Sequence, residues 1–118
     1  MILIDYRDAR PIYEQVVDRF KTLILKGVLH SGEKIPSVRN MAVVLSINPN
    51  TIQRAYAELE RQGYIYTVKG KGNFVSDSSQ LMQAYREELF AELRTLCREA
   101  LEVGISREEI VQSITGLK

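Results

Sequence analysis

The apolar positions in the first part of the chain repeat with the period of an α-helix. Four apolar residues follow one another at a spacing of four: Ile12, Val16, Phe20 and Ile24. This spacing places them on one face of a helix. Pro11 precedes the stretch and Gly27 follows it, and these residue types are common in the first turn and at the C-terminal cap of helices. The pattern therefore predicts a first helix between Pro11 and Gly27.

Two shorter apolar stripes follow, separated by a turn at Ser46 and Ile47. The first stripe, about ten residues long, starts after Ser37 and the second after Asn48, both typical N-cap residues. Pro49 takes the first position of the second helix. The predicted buried positions are Val38, Met41, Ala42 and Leu45 in one helix, and Ile52, Ala55, Tyr56 and Leu59 in the other. Two helices joined by so short a turn form a helix-turn-helix.

After Gly63 the pattern changes from helical to extended. Residues 64–68 are rich in β-formers, the Lys-Gly-Lys-Gly run at 69–72 is a turn signal, and residues 73–75 can form the returning strand. A β-hairpin directly behind a helix-turn-helix is called a wing. Further upstream, residues 30–34 are predicted to form a loop, and residues 2–6 either a small strand or an arm.

The last part of the chain is helical again, from residue 80 to residue 103. Two interleaved apolar rows recur every seven residues: Met82, Leu89, Leu96 and Val103 in one, Leu93 and Ala100 in the other. Arg86 interrupts the second row, Gly104 ends the helix, and a short last helix is predicted over about residues 106–114. A seven-residue stripe predicts a helix that pairs with its copy in a second subunit. Folding back onto the chain's own winged helix is the alternative.

These elements predict a mainly α fold with a small β-wing. A winged helix-turn-helix domain covers residues 1–76, and a helical dimerisation tail covers residues 77–118. The whole chain has 16 Lys and Arg against 15 Asp and Glu, so its net charge of +1 does not indicate a nucleic-acid binder. The balance is uneven, because residues 1–76 contain 11 basic and 7 acidic residues and the tail contains 5 and 8. The two parts are therefore expected to have different roles.

Length and composition exclude several function classes. A chain of 118 residues is too short for a TIM barrel. Cys97 is the single cysteine, which excludes an internal disulfide and fits a reducing cytosol, and His30 is the single histidine. We therefore expect no enzyme, no cofactor and no metal site. There is no apolar run of about 18 residues and no secretion signal, so a cytoplasmic protein without a membrane partner is expected.

The outward face of the third helix carries the candidate chemistry. With its apolar positions facing inward, a set of polar side chains points outward near its N-terminus: Asn48, Asn50, Thr51, Gln53 and Arg54. Asn, Gln and Arg read base edges, and Thr can bond a base or a phosphate. The N-terminal part of a recognition helix is also the part that enters the major groove. Taken alone, the same residues are equally consistent with ordinary polar cover on a capped surface helix.

Basic residues beside this helix strengthen the DNA-binding interpretation. Lys69 and Lys71 flank Gly70 in the predicted wing, where cations can reach phosphates and glycine allows close approach. Arg39, near the start of the second helix, would lie near the DNA backbone. A solvated turn or a surface arginine explains each feature alone. The combination of helix-turn-helix, polar reading face and basic wing indicates DNA binding.

Several short motifs follow one another in a fixed order along about residues 3–76. They are Pro-Ile-Tyr-Glu-Gln at 11–15, Ile-Pro-Ser-Val-Arg at 35–39, Ile-Asn-Pro-Asn-Thr-Ile at 47–52, Ala55-Tyr56, Leu59-Glu60, and Gly-Lys-Gly-Asn-Phe-Val at 70–75. The first two resemble the GntR family of winged-helix regulators, and the others resemble most of all its YtrA-type branch. The tail is similar to the short C-terminal segment of YtrA-type members. The resemblance implies a dimeric, cytoplasmic bacterial transcription factor, usually a repressor.

By position, the DNA-contacting residues of the family fall on Arg39, Asn48, Asn50, Thr51, Gln53, Arg54, Lys69 and Gly70. Pro49 stands where many members have a basic residue, so one common contact is absent. The expected partners are a double-stranded, two-fold symmetric DNA operator and a second copy of the chain, with a small-molecule effector left open. The alternative is a winged helix used as a protein-interaction module, which predicts no salt-sensitive DNA binding.

Overall fold

The computed structural model describes residues 4–117, and the chain divides into two compact units, one ending at Ser79 and one beginning at Gln80. The first unit contains α1 (Ile12–Leu25), β1 (Lys34–Ile35), α2 (Val38–Leu45), α3 (Pro49–Arg61), β2 (Ile65–Val68) and β3 (Gly72–Val75). The helices of the tail are α4 (Ser79–Glu102) and α5 (Arg107–Thr115). The sequence pattern places the boundary after residue 76, three residues earlier.

The core of the first unit is formed by the apolar faces of its helices and one face of the sheet. Its buried apolar residues include Val16, Phe20 and Ile24 of α1, Met41 and Ala42 of α2, Ile52, Ala55, Tyr56 and Leu59 of α3, and Ile35, Ile65 and Val75 of the strands. The rings of Phe20 and Tyr56 meet edge to face with centroids 5.5 Å apart, which packs α1 against α3. The predicted inward face of α3 is confirmed at all four positions.

Helix α2 differs from its prediction in two respects. It has eight residues instead of about ten, and the predicted core positions Val38 and Leu45 are only half-buried. Its N-terminus is capped as expected, because Ser37 Oγ accepts a hydrogen bond from the Asn40 N–H at 3.1 Å. A helix this short packs little more than one turn against its neighbours, so its end positions stay accessible.

Four helices end with the same pair of backbone hydrogen bonds around a residue of positive φ. In α1, α3 and α4 that residue is glycine: Gly27, Gly63 and Gly104. In α2 it is Ser46, with a φ of 54°. The Ser46 N–H donates to the Val43 carbonyl at 3.2 Å, and the next N–H donates to the Ala42 carbonyl at 3.0 Å. This Schellman geometry sets the direction of the chain in the turn before α3.

The sheet has three antiparallel strands in the order β1-β3-β2. The prediction of a loop over residues 30–34 is wrong at Lys34, which begins β1 and pairs with Phe74. Two residues are too few for an alternating pattern, so the strand depends on its pairing with β3. The returning strand also starts one residue earlier than predicted, at Gly72. The wing is therefore three-stranded instead of a simple hairpin.

The segment before α1 is held by a buried polar residue. Gln15 is 3% exposed, its Oε1 accepts the Asp5 N–H at 3.0 Å, and its Nε2 donates to the Asp5 carbonyl at 3.1 Å. Residues 2 and 3 of the predicted strand or arm lie outside the described residues, and residues 4–6 do not form a strand. The described part is therefore an irregular segment fixed to α1 by its backbone.

The tail consists of a 24-residue helix and a nine-residue helix, as predicted. Ser106 caps α5, because its Oγ accepts the Glu109 N–H at 3.1 Å. None of the described residues of either helix is buried, and many large apolar side chains of α4 are exposed. Within the described residues, no helix is long and apolar enough to cross a membrane.

Candidate nucleic-acid interface

The polar face of α3 lies opposite its buried face. Asn48, Asn50, Gln53 and Arg54 are exposed, and Thr51 is half-buried. All five were predicted to point outward near the N-terminus of the recognition helix. Four of them therefore have side chains accessible to a large ligand, and the side chain of Thr51 is less exposed than the sequence pattern predicts.

The side chain of Asn48 is partly occupied by its capping role. Its Oδ1 accepts the backbone N–H of Asn50 at 2.8 Å, which closes the first turn of α3. The amide NH₂ group of Asn48 remains as a donor for a ligand. Asn48 can therefore donate to a base or phosphate without giving up the cap.

Arg54 is in contact with the first helix. Its Cζ lies 3.8 Å from the centroid of the Tyr13 ring, a cation–π geometry. An open cleft beside this pair is lined by Pro11, Ile12, Tyr13, Asn50, Thr51 and Arg54. The contact links the start of α1 to the start of α3, and the sequence pattern gave no sign of it.

Arg39 lies in the first turn of α2 and is exposed. The loop before it is fixed from α3, because the Tyr56 hydroxyl donates to the Pro36 carbonyl at 2.7 Å. Burial raises the pKa of Tyr56, so its phenol is protonated and remains a donor at neutral pH. This hydrogen bond ties the loop that precedes α2, and with it the helix turn that carries Arg39, to the recognition helix.

The tip of the wing presents Lys69 and Lys71 to solvent. The turn is closed by a hydrogen bond from the Lys71 N–H to the Val68 carbonyl at 2.9 Å. Gly70 has a φ of 79°, a conformation that L side chains rarely adopt. Below the tip, Tyr66 and Phe74 stack across the strands with centroids 5.7 Å apart. The two cations therefore stand on a tight turn that the stacked rings support.

Lys34 adds a third cation to the wing, and sequence reasoning missed it together with β1. A Cβ placed on Gly72 would lie 2.9 Å from Lys34 Cε and 3.6 Å from its Nζ. The side chain of Lys34 therefore passes over Gly72 at the start of β3. The only available signal was the polar-apolar pair before Pro36, which is too short to predict a strand.

The cations of the interface differ from Arg10 and Arg61 of the same unit in having no salt bridge. Arg61 donates to Glu58, which lowers the pKa of that carboxyl to about 2, and Arg10 pairs with Asp8 and Asp18. Among residues 4–117, no salt bridge involves the five cations of the interface: Lys34, Arg39, Arg54, Lys69 and Lys71. Their charges are therefore available to an anionic ligand.

No group of three or more His, Cys, Asp or Glu side chains within the described part of the chain could hold a metal ion. Cys97 is half-buried on α4, away from the helix-turn-helix in sequence.

The residues predicted to form the dimer interface are mostly exposed. Leu89, Leu93 and Leu96 are exposed on α4, Val103 is exposed just after the helix ends at Glu102, and Met82 and Ala100 are half-buried. These positions form an apolar surface that no part of the chain between residues 4 and 117 buries.

A helix-turn-helix with an accessible polar recognition helix, followed by a cationic three-stranded wing, defines a winged-helix DNA-binding protein. Residues 12–75 match the profile of the family described as "Bacterial regulatory proteins, gntR family". The chain belongs to this family, and it is a DNA-binding transcriptional regulator and not an enzyme.

Individual relatives agree with this assignment. The chain is 39% identical over 112 residues to the "HTH-type transcriptional repressor YtrA" of Bacillus subtilis (strain 168), covering 93% of this chain and 86% of that protein. A solved "GntR family transcriptional regulator from Listeria monocytogenes" is 35% identical, with a TM-score of 0.74 over 98% of this chain and 100% of the other. Another solved structure is "AraR(DBD) in complex with operator ORE1", whose chain is 28% identical in sequence to this one. The TM-score is 0.55, and the match covers 64% of this chain and 93% of that chain.

Proposed function

We propose that the protein is a dimeric repressor that binds a two-fold symmetric DNA operator in the cytoplasm. The observation that carries the proposal is the set of cations around α3 and the wing without carboxylate partners in the described chain, in a unit whose Arg10 and Arg61 are paired. The names of two relatives support it, since one is a transcriptional repressor and another is in complex with an operator.

The proposed contacts divide into base reading and phosphate binding. Gln53, Arg54 and Asn50 lie on the accessible face of α3 and have the side chains that read base edges, and the free NH₂ group of Asn48 can join them. The phosphate contacts come from Arg39, Thr51, Lys69, Lys71 and the backbone of Gly70. Lys34 is added to this second group, because its ammonium group lies at the wing over Gly72.

The proposed dimer interface is the apolar stripe of α4. Leu89 and Leu96, seven residues apart on α4, are 41% and 64% exposed, and Val103, seven residues further on and just after the end of the helix, is 78% exposed. Leu93 of the second row is 51% exposed. Pairing with a second copy of α4 would remove this apolar surface from water, at a gain of about 25 cal/mol per Å². Two copies would also supply the two recognition helices that a two-fold operator needs.

The test is a binding titration with a native DNA fragment from upstream of the protein's own gene and a scrambled fragment of equal length. We expect tight binding to the native fragment only. Four phosphate-binding cations in each subunit, and therefore eight in a dimer, predict an affinity loss of about ten-thousandfold between about 50 and about 200 mM salt. Equal binding of both fragments would contradict operator recognition at that site. No binding to either at low salt would favour a protein-interaction module.

A further inference from the structure

We propose that Tyr13 is a positioning residue for DNA recognition: its ring holds the guanidinium of Arg54 so that the N–H edge is free for the operator. The inference rests on the proposed function, in which Arg54 reads a base. It assigns a role in recognition to a residue of α1, outside the helix-turn-helix itself. Tyr13 is therefore not expected to touch DNA; it acts through Arg54.

The Tyr13 ring contacts the face of the Arg54 guanidinium and not its edge. Arg54 Cζ is 3.8 Å from the Tyr13 centroid, well inside the range of about 6 Å for a cation–π contact. The five N–H donors of an arginine lie along the edge of its plane. Stacking on an aromatic ring therefore leaves the donors that make a bidentate contact with guanine unused.

No competing partner takes those donors within residues 4–117, where no salt bridge or side-chain hydrogen bond of Arg54 occurs. Arg61, on the same helix, shows the other situation, because Glu58 accepts from both its Nε and its NH2 group. An arginine with its edge occupied in this way must break ion pairs before it contacts DNA. Arg54 needs no such exchange.

The ring that holds Arg54 is itself fixed. Tyr13 stands in the first turn of α1, whose start is tied down by Gln15 through its hydrogen bonds to Asp5. Further along, Phe20 of α1 packs edge to face on Tyr56 of α3. Because both helices are anchored, the ring reduces the rotamers that Arg54 samples before it binds, and less entropy is lost in the complex.

The aromatic ring of Tyr13, and not its hydroxyl, makes this contact. The hydroxyl lies 3.5 Å from Glu14 Oε1, at the limit of a hydrogen bond. Phenylalanine at this position should therefore keep the contact, whereas leucine keeps apolar bulk but loses the negative ring face. This difference separates a positioning role from simple packing.

The experiment measures the affinity of six proteins, the wild type and five variants, for two DNA duplexes. The probe is a duplex selected from a random-sequence pool by the wild-type chain, with a scrambled duplex of equal length beside it. The variants are Tyr13→Leu, Tyr13→Phe, Arg54→Ala and the double variant Tyr13→Leu/Arg54→Ala. Arg61→Ala is the matched control, since it removes an arginine from the same helix whose edge is already occupied.

We expect Tyr13→Leu to weaken binding to the selected duplex by about three- to tenfold, the size of a cation–π contribution. Tyr13→Phe and the Arg61→Ala control should stay within about twofold of the wild type. In the Arg54→Ala background, Tyr13→Leu should cause no further loss, because the group it positions is gone. Binding to the scrambled duplex should change less than binding to the selected one.

The inference is overturned if Tyr13→Leu binds like the wild type, or if it causes the same loss with and without Arg54. A failure of the wild type to select any duplex would instead overturn the proposed function, and this outcome is seen before any variant is tested. Folding is checked by thermal unfolding of each variant. If Tyr13→Leu does not fold, the contact is tested by NMR in the wild type and in Tyr13→Phe. The aromatic ring should shift the Arg54 Nε–H resonance upfield in both proteins. No upfield shift in either protein would contradict the contact.

Discussion

Ser46 takes a backbone conformation that glycine takes at the ends of α1, α3 and α4. Its φ of 54° lies in the left-handed region, where an L residue with a Cβ costs about 1–2 kcal/mol. The conformation persists because both hydrogen bonds of the cap, to Val43 and Ala42, depend on it. The strain therefore sits in the turn that orients the recognition helix.

Replacing Ser46 with glycine should relieve this strain. Glycine also adds entropy to the unfolded chain, which offsets part of the gain. We therefore expect Ser46→Gly to raise the free energy of unfolding by up to about 1 kcal/mol. Urea unfolding measures the change. The control is Ala57→Gly at an exposed position inside α3, which should lower stability by about 1 kcal/mol. A loss of stability in Ser46→Gly would contradict the strained cap.

The ion pair between Glu58 and Arg61 can be tested through the pKa of the Glu58 carboxyl. Hydrogen bonds from Arg61 and Gln62 lower the pKa of its carboxyl from 4.5 to about 2. A depressed pKa contributes stability above pH 4.5 that is lost as the pH falls through about 2. In Arg61→Ala we expect the pKa of Glu58 to rise toward 4.5, measured by NMR titration of the side-chain carboxyl. An unchanged midpoint would show that the pair does not form in solution.

The elements of this chain differ in how far the sequence reveals them. The apolar period and the caps predict α1, α3, α4 and the hairpin within a few residues, because each has several turns or a glycine turn signal. Strand β1 has only two residues, and its hydrogen bonds come from β3, so no local pattern marks it. The Arg54–Tyr13 contact is hidden for the same reason, since it joins residues far apart in sequence.

The strand that the sequence did not reveal leads to a prediction about the wing. We expect Lys34→Gln to weaken binding to native and scrambled DNA by similar factors, because phosphate contacts carry no sequence information. The slope of log affinity against log salt should fall by about one per subunit. Lys26→Gln, at the exposed C-cap of α1, removes the same charge and serves as the control. An unchanged salt slope in Lys34→Gln would remove Lys34 from the interface.

At the scale of the whole molecule, the proposed dimer makes operator binding depend on the apolar stripe of the tail. A single winged helix supplies one recognition helix, whereas a two-fold operator presents two half-sites. The described tail has no buried residue in the single chain, so the apolar rows of α4 are available for a second copy. A charge in the stripe should therefore affect both assembly and DNA binding.

Leu93→Glu places a carboxylate in that stripe, where pairing would bury it without a partner. We expect the molar mass in sedimentation velocity to fall from that of a dimer to that of a monomer, and operator affinity to fall with it. Gln83→Glu adds the same charge at an exposed polar position of α4 and should leave both unchanged. A dimer that persists in Leu93→Glu would place the interface elsewhere.

Hydroxyl-radical footprinting on a selected duplex shows whether two recognition helices bind one two-fold site. We expect two protected patches with centres about 34–36 Å apart, one turn of DNA, or a multiple of that spacing. Both patches should appear at the same protein concentration, because the dimer binds as a unit. A single patch, or uniform weak protection along the duplex, would contradict binding by two recognition helices.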